Sequence, residues 1–204
     1  VLTNVSSDHM DLQGIHTLPE LAEVKATICR VTKPDGWVVL NADDRWVAGV
    51  APHVRARVAL FTLEGDRSVR VRRHLRRGGR AFLVRDGVLG EAEGTDWTAI
   101  AAVAEIPIAF GGAARHNVAN ALAASGGARA MGASIADVRQ GLMDFRPSMD
   151  AAPGRLNVFR KDDDKEKPEQ YRIKVAEASP QSAVTVEDTT GKPDRSPASE
   201  RILA

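Results

Sequence analysis

The residues best placed to do chemistry cluster in Arg115-His116-Asn117-Val118-Ala119-Asn120. Asn117 and Asn120 are three apart and His116 and Asn120 four apart, so all three line one edge of a helix. The alanines around them let that helix lie close to a sheet. Gly111 and Gly112 come just before, after the strand-like Ile106–Phe110. A strand, a glycine turn and a helix start carrying amide side chains make a seat for a nucleotide, because exposed backbone N–H groups favour an anion or a polar base edge. The competing reading is an ordinary helix start with Asn near its cap.

Two further places could hold charge. Val1–Val5 reads as a buried strand running into Ser6-Ser7-Asp8-His9-Met10-Asp11, and α/β proteins bind ligands at the carboxyl ends of their strands. Asp8 and His9 there could hold a hard cation directly or through water. A turn satisfied by its own side chains is the alternative. Lys25 falls inside the apolar arc of a predicted helix, where it either snorkels to water or is held inward for a charged ligand. A lysine amine held in this way can also be carbamylated, which makes it carboxylate-like.

The elements that must position these groups alternate in type. Thr17-Leu18-Pro19-Glu20 has the spacing of a capping box, and the helix it opens runs to about Thr32 with Leu18, Leu21, Val24 and Ile28 as its apolar stripe. Trp37–Asn41 is a near-continuous apolar strand, Asp44 caps a short helix to about Val50, and Val58–Thr62 is the next strand. This order predicts a parallel sheet covered by helices. Arg67 to Arg80 contains seven arginines and His74. Without interleaved aromatics it reads as a solvated connection, with a nucleic-acid or acidic-polymer patch as the alternative. Arg80–Arg85 followed by Asp86-Gly87 reads as a hairpin, since Asp-Gly suits a type I′ turn. Ser134 and Asp137 cap a helix in which Ile135, Val138 and Leu142 share a face, ending near Phe145–Pro147.

The expected organisation is a domain over 1–150, a linker over 151–160 and a polar tail of different character over 161–204, poorly ordered or a fused fragment. Within the tail, Tyr171–Val175 and Ala183–Val186 alternate like a hairpin, and Ser196–Ala204 could begin a helix. A net charge of +1 argues against a whole-chain polyanion binder, so no nucleic-acid partner is expected. The single cysteine, Cys29, fits a reducing compartment. No apolar run is long enough to span a bilayer, so neither is a membrane partner. The beginning at Val1 reads as a strand cut mid-domain, with a longer protein expected around it.

Thr3-Asn4-Val5-Ser6-Ser7-Asp8-His9, Lys25, Leu40-Asn41-Ala42-Asp43-Asp44, His116-Asn117-x-x-Asn120-Ala121-Leu122-Ala123-Ala124 and Pro153-Gly154-Arg155 occur in the order found in Mur-type ligases. Over about residues 1–159 the chain resembles the second half of their central ATPase domain. Within that family it is most similar to the cyanophycin synthetases, through Gly14-Ile15-x-Thr17-Leu18-x-x-Leu21-Ala22-x-Val24-Lys25 and Arg77-Gly78-Gly79-Arg80-Ala81. The resemblance implies part of a mainly parallel three-layer α/β/α domain with a short β-hairpin subregion, in a cytoplasmic ligase that can form homo-oligomers. It implies ATP and Mg2+, with His9 as a magnesium ligand, Lys25 as the carbamylated lysine, and Asn117, Asn120 and His116 on the nucleotide side. The implied reaction phosphorylates a carboxylate and then forms an amide. In the cyanophycin case arginine is joined to aspartate side chains of the polymer. The family's phosphate loop, G-x-x-x-x-G-K-[ST], belongs upstream of Val1, so the chain alone is expected to be inactive. The tail is instead similar to the end of an outer-membrane assembly lipoprotein family, through Tyr171–Val175, Gly191–Ser196 and Arg201–Leu203.

Overall fold

Successive residues of the central strands face opposite ways, and that alternation builds two cores. In β1 (Trp37–Asn41), Val38 and Leu40 join one apolar cluster and Val39 the other. In β2 (Arg57–Thr62), Leu60 faces the first cluster while Ala59 and Phe61 face the second. β3 (Arg80–Arg85) divides likewise, Ala81 and Leu83 against Phe82. Strands apolar on both faces need cover on both, which is why their sequences read as continuous hydrophobic runs.

The first cluster is closed by α1 (Leu18–Arg30), α2 (Arg45–Ala48) and α3 (Val69–Leu75), and the second by α4 (Arg115–Ala130) and α5 (Ile135–Asp144). The result is the expected α/β/α layering. β4 (Val88–Glu93) and β5 (Asp96–Ala102) complete a five-stranded sheet in the order β1-β2-β3-β4-β5. β1, β2 and β3 are parallel, and the rest of the sheet is antiparallel. Beyond β1, Leu2 forms a parallel bridge with Leu40. The computed structural model describes residues 1–6, 14–146, 171–174 and 185–188. Contacts divide the chain into two units, Val1–Asp144 and Phe145–Ala204. In the second unit β6 (Tyr171–Lys174) pairs antiparallel with β7 (Thr185–Asp188), so the alternating tail segments do form a ladder. The linker, Pro153-Gly154-Arg155 and the segment from Ser196 lie outside the described residues.

Local chemistry explains where most elements begin. Thr17 and Glu20 form the complete capping box of α1, Asp44 accepts from Trp46 N and Val47 N at the start of α2, and Ser134 with Asp137 opens α5. Asp86 and Gly87 both take positive φ, as a type I′ turn requires, and the β3–β4 hairpin follows. It continues into β5.

The structure departs from expectation at three places. Ile106–Phe110 is not a strand: Pro107–Gly112 coils in 3-10 turns, with Pro107 at its start and Phe110 and Gly111 at positive φ. The arginine-rich segment is not a plain connection: Ser68 caps α3, and Val71 and Leu75, four apart, bury against the sheet. Along α1 the buried residues are Leu21, Ala22, Ala26 and Cys29, whereas Val24 is 55% and Ile28 67% exposed. Small side chains let α1 approach the sheet closely, and that decides its rotation.

Candidate functional site

The polar groups collect where the parallel strands end. Asn41, last in β1, donates from Nδ2 to Thr3 O at 2.8 Å, and its Oδ1 accepts from Asp43 N at 2.9 Å. Asp43 accepts from the Thr62 hydroxyl and, at 2.7 Å, from Leu63 N, joining the end of β1 to the end of β2. Asp44 caps α2 through Oδ1 and accepts Val5 N at 2.8 Å through Oδ2. Arg70 of α3 donates to Ala42 O at 3.0 Å. Asn41-Ala42-Asp43-Asp44 is thus a bracket that holds strand ends.

Lys25 reaches the same edge from α1. It is half-buried, on the helical face that carries Leu21, Ala22 and Cys29, and its Nζ donates to Asn4 O at 3.4 Å. It neither points away into water nor sits sealed in the core.

α4 approaches from the opposite face. Ala114 occupies its cap position with no side-chain cap bond, so the helix start lacks the Ser, Thr or Asp that would close it. Asn117 is half-buried and donates from Nδ2 to Ile108 O at 2.7 Å, fixing the coil before the helix. One turn on, Asn120 is exposed and makes no side-chain hydrogen bond among the described residues. His116 is exposed too, and local desolvation holds its pKa below the ordinary 6.5, favouring the neutral ring at neutral pH. A cleft of about 310 Å³ opens beside this helix start, past the ends of β2 and β3, lined by Leu63, Val84, Gly112, Arg115 and Val118 among others. Arg115 was not apparent as a lining residue from the sequence. The only available signal was its place directly before His116.

The amide pair and His116 therefore share one helix edge, and Lys25 stands across the sheet in the other layer. No hydrogen bond or ion pair among the described residues joins Lys25 to His116, Asn117 or Asn120. His9 and Asp8 lie outside the described residues. Among the described residues no three His, Cys, Asp or Glu side chains come close enough to hold a metal ion. Asp43 and Asp44 have their carboxylates committed to backbone N–H groups and to Thr62. No helix among the described residues is long and apolar enough to cross a membrane.

Comparison with known proteins decides the lineage. Residues 1–128 match the Mur ligase middle domain. The chain belongs to the Mur ligase middle-domain family. It is 42% identical to a cyanophycin synthetase of Trichormus variabilis over 160 residues, which is 78% of this chain and 18% of that protein. It is also 34% identical to a UDP-N-acetylmuramoylalanine–D-glutamate ligase of Desulfitobacterium hafniense over 146 residues, 72% of this chain and 28% of that enzyme. The chain thus spans less than a third of these relatives. A crystal structure of MurF from Acinetobacter baumannii shares the fold, with a TM-score of 0.53 at 22% identity over 78% of this chain and 30% of MurF. The bracket, Lys25 and the α4 amides all lie within the part that matches the Mur ligase middle domain.

Proposed function

We propose that this chain is the nucleotide-side portion of an ATP-dependent amide ligase of the cyanophycin synthetase type. The match of residues 1–128 to the Mur ligase middle domain carries this reading. In the proposed reaction ATP phosphorylates a carboxylate, an amine displaces the phosphate, and an amide forms. The amine would be arginine and the acceptor an aspartate side chain of a polymer, in a protein longer than the matched region. The cytoplasm, with its nucleotide pool and reducing conditions, is the proposed compartment. The division into a domain over 1–150, a linker over 151–160 and a distinct tail belongs to the same proposal.

The side chains suit different tasks. Asn120 offers one donor and one acceptor in a plane, the pairing an amide makes with N6–H and N7 of adenine, and its exposure leaves both free. Asn117 has one of its amide N–H groups engaged by Ile108 O, so we assign it a positioning role: it fixes the coil that leads into Arg115 and His116. A neutral His116 can donate to or accept from the base or ribose. Lys25, beside Asn4 O, either presents a cation to the phosphates or, as a carbamate, a negative group. His9 stays a proposed magnesium ligand.

Titration of the chain with Mg·ATP, read by calorimetry, tests the assignment. Asn120→Ala is expected to weaken nucleotide binding by about five- to tenfold, the worth of one or two unmade hydrogen bonds, with the unfolding midpoint unchanged. Asn117→Ala is expected to lower both, because it also frees the Ile108 carbonyl. Wild-type affinity in Asn120→Ala would refute the adenine contact.

A further inference from the structure

Arg72 and Arg76 of the arginine-rich segment, with Arg85 from the end of β3, line a groove of about 700 Å³ beside α3. Leu75 and Thr95 are among its other walls, and Asp66 supplies its one acidic side chain. The neighbouring arginines do not share in it. Arg70 donates to Ala42 O, Arg80 pairs with Glu91 and Glu93, and Arg73 and Arg77 are exposed but line no part of the groove. Because α3 covers the first apolar cluster, the groove lies in the layer away from α4 and its amides.

The three guanidinium groups keep donors in reserve. Arg72 is held by Asp66 O at 2.7 Å and Arg67 O at 3.1 Å through a single terminal nitrogen, which leaves Nε and Nη2 available. Arg85 makes a bidentate pair with Asp66 at 2.9 Å and stacks 4.5 Å over Trp97, with Nη1 unused. Arg76 makes no hydrogen bond or ion pair among the described residues. Asp66 accepts from Arg85 alone through its carboxylate, whose two oxygens have room for a further donor. Three guanidinium groups and one carboxylate give the groove a formal charge of +2.

That balance selects the ligand. A tetrahedral dianion meets the whole charge in one compact group, and the planar fork of arginine suits its oxygens. Hydrogen phosphate, the main form of inorganic phosphate above neutral pH, carries one O–H beside three bare oxygens. The guanidinium donors would take the bare oxygens and the Asp66 carboxylate the O–H, so each polar group meets a partner of the right kind. Sulfate has the same charge and shape but no O–H, and it would set a bare oxygen against Asp66. A phosphomonoester dianion lacks the proton as well. Asp66 is therefore the residue that discriminates, since the arginines by themselves would accept all three.

We propose that the groove beside α3 is a site for inorganic phosphate, bound as the hydrogen phosphate dianion by Arg72, Arg76 and Arg85, with Asp66 accepting its O–H. None of these residues belongs to the nucleotide side, so the inference does not depend on the ligase reading. Calorimetric titration of the full chain with sodium phosphate at mildly alkaline pH tests it, against sodium sulfate and glycerol 3-phosphate at matched ionic strength. Wild-type protein is expected to bind phosphate at least about tenfold more tightly than either competitor, the worth of one hydrogen bond to a charged group. Asp66→Asn is expected to abolish that preference, because an amide can donate to a bare oxygen. A ratio of affinities reads recognition directly, where a merely structural role for Asp66 would weaken all three anions alike. Arg76→Gln is expected to weaken phosphate binding about tenfold, as for loss of a charge-assisted pair. Arg73→Gln removes the same charge outside the groove and is expected to cost less than about twofold, the screened effect of a remote surface charge. Phosphate bound no better than sulfate or the ester would overturn the proposal, as would an unchanged preference in Asp66→Asn. So would equal losses in Arg76→Gln and Arg73→Gln, or no phosphate binding by the wild type.

Discussion

Alanine at Gly126 is expected to destabilise the protein, and alanine at its neighbour Gly127 to do the opposite. Both glycines lie inside α4, where exchange for alanine improves helix propensity by about 1 kcal/mol. Their surroundings differ. A Cβ on Gly126 would stand 2.7 Å from Val39 Cγ1 and 3.2 Å from Phe82 Cδ2, both anchored in buried strands. A Cβ on Gly127 would meet Val1 Cγ2 at 3.1 Å, the exposed first residue, which can yield. Overpacking a core by one methyl costs about 1–3 kcal/mol. Setting this against the propensity gain leaves Gly126→Ala about 0–2 kcal/mol less stable and Gly127→Ala up to about 1 kcal/mol more stable. The gap between the variants is then about 1–3 kcal/mol, which at about 2–4 °C per kcal/mol for a domain of this size separates their midpoints by roughly 2–12 °C. Urea and thermal unfolding, followed by far-UV circular dichroism, measure both. The same methyl should push the α4 start outward, so Gly126→Ala should also bind Mg·ATP more weakly than Gly127→Ala. A Gly126→Ala protein as stable as Gly127→Ala would refute the claim that this helix is pressed against the sheet.

Two other perturbations address charge inside the fold. Glu91 is buried and holds Arg80 Nε at 3.0 Å and Arg129 Nε at 2.6 Å, so Glu91→Gln is expected to cost about 3 kcal/mol, as for breaking a buried pair, in urea unfolding with little salt dependence; a loss within about 0.5 kcal/mol would place this network among surface pairs. Burial holds the pKa of His74 below 6.5, partly offset by backbone hydrogen bonds to Val58 and Arg80. Its contribution is therefore fully present above pH 6.5 and is lost as the pH falls from there toward the lower folded-state value, because the unfolded chain takes up the proton first. His116 shifts in the same direction, so stability should fall as the pH drops below about 6.5, with a shallower slope in His74→Gln. An unchanged slope would remove His74 from the account.

Where local chemistry acts through neighbours in sequence, the chain could be read directly. Thr17 with Glu20, Asp44, Ser134 with Asp137, and Asp86-Gly87 each act over a few residues, and each marks the element it was expected to mark. β1 was legible because a strand buried on both faces has no polar interruption. The misreadings have a common origin in tertiary contact. Val24 and Ile28 are more apolar than Ala22 and Ala26, but alanine permits closer approach, and closeness decided which face of α1 is buried. Ile106–Phe110 has strand-like composition, but Pro107 and the Asn117 bond to Ile108 O draw it into a coil. The α3 helix was hidden because two buried side chains, Val71 and Leu75, are enough to seat a helix that is otherwise arginine and histidine. At the site, types and spacing located the amide pair, but only the coordinates separate a committed Asn117 from an open Asn120. The groove beside α3 draws on residues 85 and 95, brought to Arg72 and Arg76 by sheet pairing that the arginine count alone could not reveal.

The short segment at the sheet margin has a consequence for registry. Its backbone pairing with β1 amounts to the single bridge at Leu2 and Leu40, a weak ruler for a parallel strand. Yet three successive residues are each gripped by a different partner: Thr3 O by Asn41, Asn4 O by Lys25, and Val5 N by Asp44. A slip of one residue would release all three grips together and turn Leu2 and Val5 out of the core. Side chains thus act here as a tripod, so that a charge change at Lys25 or Asp44 can unseat a strand without touching its ladder.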